Sequence, residues 1–418
     1  MAMTIKELEG KTIADLRVVA KELNVPDYTE LHKHDLIMKI LEISSQQEGY
    51  IFVEGILEIM NDGTHGVLRT DGVLPSENDV YISGSQIKKF NLRMGDQVAG
   101  PARLPKDKEK YLSLLRVDTV YGKPAAEATK RPFFNKMTPI FPNRQIKLET
   151  EPEILATRVV DLLAPVGFGQ RGMIVASPKA GKTFLLKDLA QGVAKNYPKA
   201  KLMVVLVGER PEEVTDMVRN VKGEVFASNF DEMPEHNCRV AEMALEKAKR
   251  MVEWGEDVVI LMDSITRLAR AYNITMPTSG RTLSGGFDPV ALYPPKKFFG
   301  AARNMEEGGS LTILATALVD TGSRMDDLVF EEFKGTGNME LVLDRKLADR
   351  RIYPAIDVTR SGTRNEELLF SKDVMNQSWR LRRMLEVLGD NGNPTDILVS
   401  RLRKTKTNEE FLATLHEA

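Results

Sequence analysis

Apolar residues follow two different rhythms along this chain. In the first 47 residues they recur at helical spacing, through Ile13 to Leu23 and again through Asp35 to Ile43, with the breaker Val25-Pro-Asp-Tyr28 between them. That pattern predicts a small helical module over 1–47. From Ile51 the period shortens to alternation, in Val53 to Met60, Val67 to Thr70, Asp79 to Ser83, Gln97 to Leu104 and Tyr111 to Val117, with a turn at Asn61-Asp-Gly63. Five short strands within 48–120 predict a small β-barrel of the oligonucleotide-binding, cold-shock-like kind. Pro124, Pro132, Pro139 and Pro142 then mark a connector over 121–150. Beyond it, over 151–418, short apolar runs alternate with helical patterns. Strand-like Met173 to Ala176, Leu202 to Val207, Val225 to Ala227, Val258 to Met262, Leu311 to Ala317 and Met339 to Leu343 are separated by helices or longer connections. Alternating strands and helices predict an α/β domain whose parallel sheet is covered on both faces.

Composition changes this picture little and excludes several classes. None of the apolar runs is long enough to span a bilayer, and Met1 to Lys11 lacks the apolar core of a signal peptide. With one cysteine, Cys238, an intrachain disulfide or a cysteine metal cluster is impossible, and the five histidines lack ligand spacing. A cytoplasmic enzyme without a membrane partner is the expectation. A net charge of -2 gives no overall pull on phosphate, so any nucleic-acid binding rests on local basic surface.

The densest chemistry lies at Met173-Ile-Val-Ala-Ser-Pro-Lys-Ala-Gly-Lys-Thr183, where a buried strand runs into a turn and then a helix. A triphosphate needs open backbone N–H groups at a helix N-terminus, a cation for the β and γ phosphates, and a hydroxyl for magnesium. Gly181, Lys182 and Thr183 supply them, although Ala176 stands where the general pattern has its first glycine. The apolar run Val258 to Met262 ends in Asp263, at the strand edge where α/β sheets bind ligands, so Asp263 either serves magnesium or caps the next helix. Leu202 to Val207 delivers Gly208-Glu-Arg210 to the same edge, which makes Glu209 the candidate base and Arg210 a phosphate sensor; a surface ion pair is the plainer alternative. Two arginines on a glycine-bearing turn, Arg360 and Arg364, are candidates for an arginine finger. In the barrel, Tyr81 and Tyr111 lie near Arg69, Lys88, Lys89, Lys108 and Lys110, a set suited to stacking bases, or simply to packing and solvation. Polar glycine-bearing segments at Thr278 to Phe287, Asp320 to Asp326 and Phe333 to Asn338 are either RNA-contacting loops or ordinary connectors.

Taken together, Ser177-Pro-Lys-Ala-Gly-Lys-Thr183, Gly208-Glu-Arg-Pro-Glu-Glu-Val-Thr215, Asp263-Ser-Ile-Thr-Arg-Leu-Ala-Arg-Ala-Tyr272, Lys297-Phe-Phe-Gly-Ala-Ala-Arg303 and Glu332-Phe-Lys-Gly-Thr-Gly-Asn338 resemble, in order, the signatures of the Rho family of bacterial transcription termination factors. The resemblance covers essentially the whole chain. It implies a RecA-type P-loop ATPase domain and a homohexameric, ATP-driven RNA translocase and RNA–DNA helicase acting with RNA polymerase and elongation factors. It also implies roles. Ser177, Pro178, Lys179, Ala180, Gly181, Lys182, Thr183 and Phe184 would contact ATP, with Thr183 and Asp263 on Mg2+. Glu209 would be the catalytic carboxylate, Arg210 a nucleotide sensor, Arg364 the finger across a subunit interface, and Tyr353 the adenine-stacking ring. His65, Arg69, Tyr81, Lys88, Lys89, Glu109 and Tyr111 would hold single-stranded RNA at the barrel. Arg281, Ser284, Gly285, Gly286 and Arg324 would grip it in a pore. Three positions depart from the family pattern: His65-Gly-Val67 replaces a two-aromatic turn, Arg324 replaces a lysine, and Gly208 stands where many relatives have aspartate. A rotary ATP synthase-type catalytic subunit, which shares the phosphate loop and the Gly-Glu-Arg strand end, is the alternative function.

Overall fold

The computed structural model describes residues 7–8, 10–47, 49–60, 63–106, 109–389 and 393–415; Lys108 and the first two residues of the turn predicted at 61–63 lie outside them. The chain divides into two compact units, Met1–Lys136 with Met243–Trp254, and Met137–Glu242 with Gly255–Ala418. The predicted helical module and barrel both fall in the first unit, and the connector 121–150 is shared between the two.

In the first unit, helices Ile13–Glu22 and Lys33–Gln47 bury Leu16, Ala20, Leu36, Ile40 and Leu41 in a core of their own. Thr12 starts the first helix through a reciprocal capping box with Asp15. The barrel is built from β1 (Ile51–Ile59), β2 (His65–Arg69), β3 (Val80–Ser83), β4 (Gln97–Arg103) and β5 (Leu112–Leu114). They follow the order β1-β2-β3-β5-β4, and β4 pairs back onto β1, so the five strands close. Closure leaves no long unpaired edge. The β3–β5 pair is parallel, setting Tyr81 beside Ser113. Leu57, Leu68, Val80, Ile82 and Val98 fill the interior, as their alternation predicts. The run predicted as one strand over Tyr111 to Val117 breaks after Leu114. There Arg116 O approaches Gly100 so closely that a Cβ on the glycine would lie 2.2 Å away. Pairing along β4 then resumes with β6 (Thr119–Val120), which is followed by β7 (Lys123–Pro124). A short helix that the alternation conceals, Gly84–Lys89, is capped by Ser83 and Gln86 and carries Lys88 and Lys89 exposed on its last turn.

The second unit is built on β8 (Arg171–Ala176), β9 (Lys201–Glu209), β10 (Glu224–Asn229), β11 (Asp257–Asp263), β12 (Ser310–Leu318), β13 (Met339–Leu343) and β14 (Gly362–Thr363). Their order is β10-β9-β11-β12-β8-β13-β14; the first six run parallel and β14 antiparallel. Central strands buried on both faces read as unbroken apolar runs, which is why Leu202 to Val207 and Val258 to Met262 are so legible. Ile174, Val204, Leu206, Val259, Leu261 and Leu314 pack against helices that include Leu155–Leu163 and Lys182–Asn196. Each such side chain, fully buried, contributes about 1.5–3 kcal/mol. Because the strands are parallel, the C-terminal ends of β8, β9, β11 and β12 share one edge. Among the described residues no helix is long and apolar enough to cross a membrane.

Candidate active site and nucleic-acid interface

At the end of β8 the backbone turns through Lys179 and Gly181, both in the left-handed region with φ of 68° and 93°. Such turns orient successive N–H groups inward as an anion nest. Helix Lys182–Asn196 starts at Gly181 with no side-chain cap, which leaves its first N–H groups for a ligand. Lys182 Nζ lies between two acids, 3.3 Å from Glu209 Oε1 and in direct contact with Asp263 Oδ1. Burial opposes the lysine's charge, but Asp263 and Glu209 outweigh it and hold its pKa above the ordinary value.

Glu209 reaches the site through a bulge. The β9–β10 register slips between Val207 and Glu209, where Gly208 takes a φ of 62°, and the slip swings the next side chain inward. Glu209 is 2% exposed. Burial first, then the adjacent Asp263 charge, push its pKa above the usual carboxylate value. A base whose pKa is moved toward neutrality is better matched to accepting a proton at physiological pH. Arg267, to which the residue pattern assigns no role, donates to Gly208 O and lies 3.5 Å from Glu209. Its sequence signal is its place in the Asp263 to Tyr272 signature, one turn into the helix after Asp263.

Asp263 is not the helix cap. Ser264 fills that position by accepting from Arg267 N at 3.2 Å, while Asp263 Oδ1 receives the Thr316 hydroxyl at 2.7 Å. The Thr183 hydroxyl lies 3.4 Å from Glu213 Oε2. Hydroxyl and carboxylate oxygens are the hard donors Mg2+ takes beside substrate phosphates, so Thr183 and Asp263 fit that ion. Arg210 is largely exposed and lies 4.0 Å from Glu213 at the start of the next helix.

A cleft of about 1080 Å³ opens beside the phosphate loop, lined by Ala180, Gly181, Phe184, Asp188, Tyr353 and Arg403 among others. A Cβ on Gly181 would lie 3.6 Å from the Tyr353 ring, so this ring faces the loop. Phe184 is 71% exposed and offers a second aromatic face. Arg364 lies elsewhere. It follows β14, whose Thr363 pairs with Met339, whereas the phosphate loop leaves β8 beside Leu343. Four residues along a strand separate these levels by about 13 Å. Arg364 instead lines a separate cleft of about 510 Å³ with Arg360 and Lys334.

On the barrel, His65 stacks on Tyr81 with ring centroids 5.5 Å apart and planes 26° from parallel. Tyr81, Gln86, Arg103, Glu109, Lys110 and Tyr111 line a pocket of about 670 Å³. Arg103 holds both oxygens of Glu109 at 2.7 and 2.9 Å, and that bond is the main reason the Glu109 pKa falls to about 2. Arg103 carries no motif spacing, and Gln86 only that of a capping box with Ser83. Arg69 is almost fully buried, bonded to Glu58 at 2.7 Å and to Asp79, so it braces the barrel wall.

Of the polar loops, Arg281 and Ser284 to Gly286 are exposed while Phe287 beneath them is fully buried. The 284–286 turn rests against the start of helix Arg324–Lys334, where Arg324 is exposed. The structure therefore brings these two predicted loops together.

Comparison with known proteins agrees with both units. Residues 7–49 match the Rho termination factor N-terminal domain, 53–126 the Rho termination factor RNA-binding domain, and 156–363 the nucleotide-binding domain of the ATP synthase alpha/beta family. A protein of Bacillus subtilis named transcription termination factor Rho is 54% identical over 415 residues, covering 99% of this chain and 96% of its own length. One of the same name from Pseudomonas aeruginosa is 50% identical, covering 99% of both. Among solved structures, an ATPase from the type III secretion system of pathogenic bacteria shares the fold, with a TM-score of 0.56 and 21% identity over 67% of this chain and 86% of that one.

Proposed function

The chain belongs to the Rho family of transcription termination factors, and from that premise we propose that it is a cytoplasmic homohexamer that moves along nascent single-stranded RNA by hydrolysing ATP. It separates RNA–DNA hybrid and releases transcripts from RNA polymerase and its elongation factors. The observation that carries this reading is the buried Lys182–Glu209–Asp263 cluster at the phosphate loop, in a chain that also holds a closed RNA-binding barrel.

Each residue then has a task. The loop from Ser177 to Thr183 cradles the triphosphate, with Lys182 reaching its terminal phosphates, while Tyr353 and Phe184 flank the base. Thr183 and Asp263 hold Mg2+, which supplies neutralising charge on the phosphate oxygens. Glu209 orients the attacking water and takes its proton. Arg210 senses the nucleotide. Arg364, too far along the sheet to serve its own loop, compensates transition-state charge in a neighbouring subunit. The His65–Tyr81 stack and the Tyr111 pocket hold bases, Lys88 and Lys89 attract phosphate, and Arg69 and Glu109 keep the barrel wall in shape.

Steady-state ATP hydrolysis with and without cytidine-rich RNA tests the reading. RNA is expected to stimulate turnover several-fold. Equal rates in both conditions would favour the rotary alternative, and no hydrolysis in either would leave a non-catalytic RNA scaffold.

A further inference from the structure

The phosphate loop is fastened to one of the proposed RNA loops through its first residue, Ser177. Ser177 Oγ donates to Asp320 Oδ2 at 2.8 Å, and beside it Val319 N donates to Ala176 O at 3.2 Å. Asp320 lies two residues beyond β12 with a φ of 54°, a conformation that aspartate tolerates better than most residues. Next to it, Thr321 Oγ1 donates to Asp326 Oδ2 at 2.6 Å, and Arg270 clamps both oxygens of Asp326 at 2.7 and 2.5 Å. Asp326 is fully buried, so this clamp is held firmly. It sits in the first turn of the helix that begins at Arg324. A Cβ on Gly285 would lie 2.6 Å from Met325 N, so the 284–286 turn bears on the same first turn. The contacts from Ser177 through Asp320, Thr321 and Asp326 thus end at the backbone that carries Arg324 and supports Gly285.

We propose that Asp320 is a positioning residue which, through Ser177, couples occupancy of the phosphate loop to the placement of Arg324 and the 284–286 turn. This rests on the reading of those loops as RNA contacts. Its physical basis is competition for one proton. The Ser177 hydroxyl has a single hydrogen to donate. A triphosphate entering the loop brings anionic oxygens that compete with the Asp320 carboxylate for it. Filled and empty loops then differ in whether the 319–321 segment is held, and a segment with two such states is what coupling between sites requires.

Linkage supplies the test, because two coupled ligands alter each other's dissociation constant by one common factor. That factor is to be measured in the full chain with a non-hydrolysable ATP analogue and a cytidine-rich RNA, each titrated alone and with the other saturating. The wild type is expected to show a factor of about 5 or more. Asp320→Gly removes the carboxylate and suits the positive φ. It is expected to bring the factor close to one and to tighten the analogue's binding without RNA, because the competitor for the Ser177 hydrogen is gone. Asp320→Asn keeps an acceptor oxygen and is expected to retain most of the factor. Adding Ser177→Ala to Asp320→Gly is expected to reduce the factor no further, because the two remove the same bond. A wild-type factor surviving in Asp320→Gly would overturn the proposal, as would one surviving in Ser177→Ala alone. A wild type in which neither ligand affects the other would instead remove the reading of the loops, and the proposal with it.

Discussion

Glu209→Gln is expected to leave ATP and RNA bound while turnover falls by about two to four orders of magnitude, the usual contribution of a positioned general base. The glutamine matches the glutamate in size, so the bulge at Gly208 and the packing of this 2% exposed side chain are preserved. Lys182 keeps its second partner, Asp263, and Arg267 keeps its bond to Gly208 O. What disappears is the capacity to take a proton. Removing one of two adjacent buried acids also relieves repulsion, so the variant should fold at least as well as the wild type. Steady-state hydrolysis alongside equilibrium binding of a fluorescent ATP analogue checks both halves. Near-normal turnover would contradict the base assignment, and lost binding would make Glu209 a structural residue.

The second large effect is expected at Arg364. Removing an arginine finger costs about 10³–10⁵ in turnover, so an assembly of Arg364→Ala chains alone should be nearly inactive. The more telling experiment mixes variant and wild-type chains. Thr363 pairs with Met339, at the opposite end of β13 from Leu343, beside which β8 gives way to the phosphate loop, so an arginine following Thr363 lies about 13 Å along the sheet from its own loop, as a finger acting on a different chain's nucleotide requires. Each variant subunit then silences a neighbour's site, and rings that fire in sequence lose more activity than the variant fraction alone removes. Mixing Arg364→Ala with Glu209→Gln chains, each inactive alone, is expected to restore turnover at interfaces that join an intact base to an intact finger, and no recovery would place the finger in its own chain, against this geometry.

Much of the fold is legible in the sequence where one physical rule dominates. Met339–Leu343 is found at its predicted bounds because a five-residue, largely apolar run between polar flanks is too short for a helix and suits a buried strand. Asp263 is legible for the same reason, standing where Val258 to Met262 ends. Glu209 can be placed at the strand edge, but its inward turn depends on the positive φ of Gly208, which a lone glycine does not announce. The helix Gly84–Lys89 is announced only by Ser83 and Gln86 at the spacing of a capping box, directly after the alternation of Asp79 to Ser83. Contacts between distant segments leave no local pattern at all. The Thr316–Asp263 bond arises only when β11 pairs with β12, and the Ser177–Asp320 bond only when β8 pairs with β12. Arg69 shows the converse: its sequence neighbours suggest a phosphate contact, and the fold commits it to Glu58 and Asp79.

The central claim, that hydrolysis at this site drives movement along RNA, is tested most directly by displacement of a labelled DNA strand annealed downstream of a cytidine-rich single-stranded RNA segment. The wild-type chain is expected to release the DNA when ATP is supplied, and to leave it annealed with a non-hydrolysable analogue or when Glu209→Gln replaces the wild type. Hydrolysis of ATP at full RNA-stimulated rate without any release of the strand would contradict it.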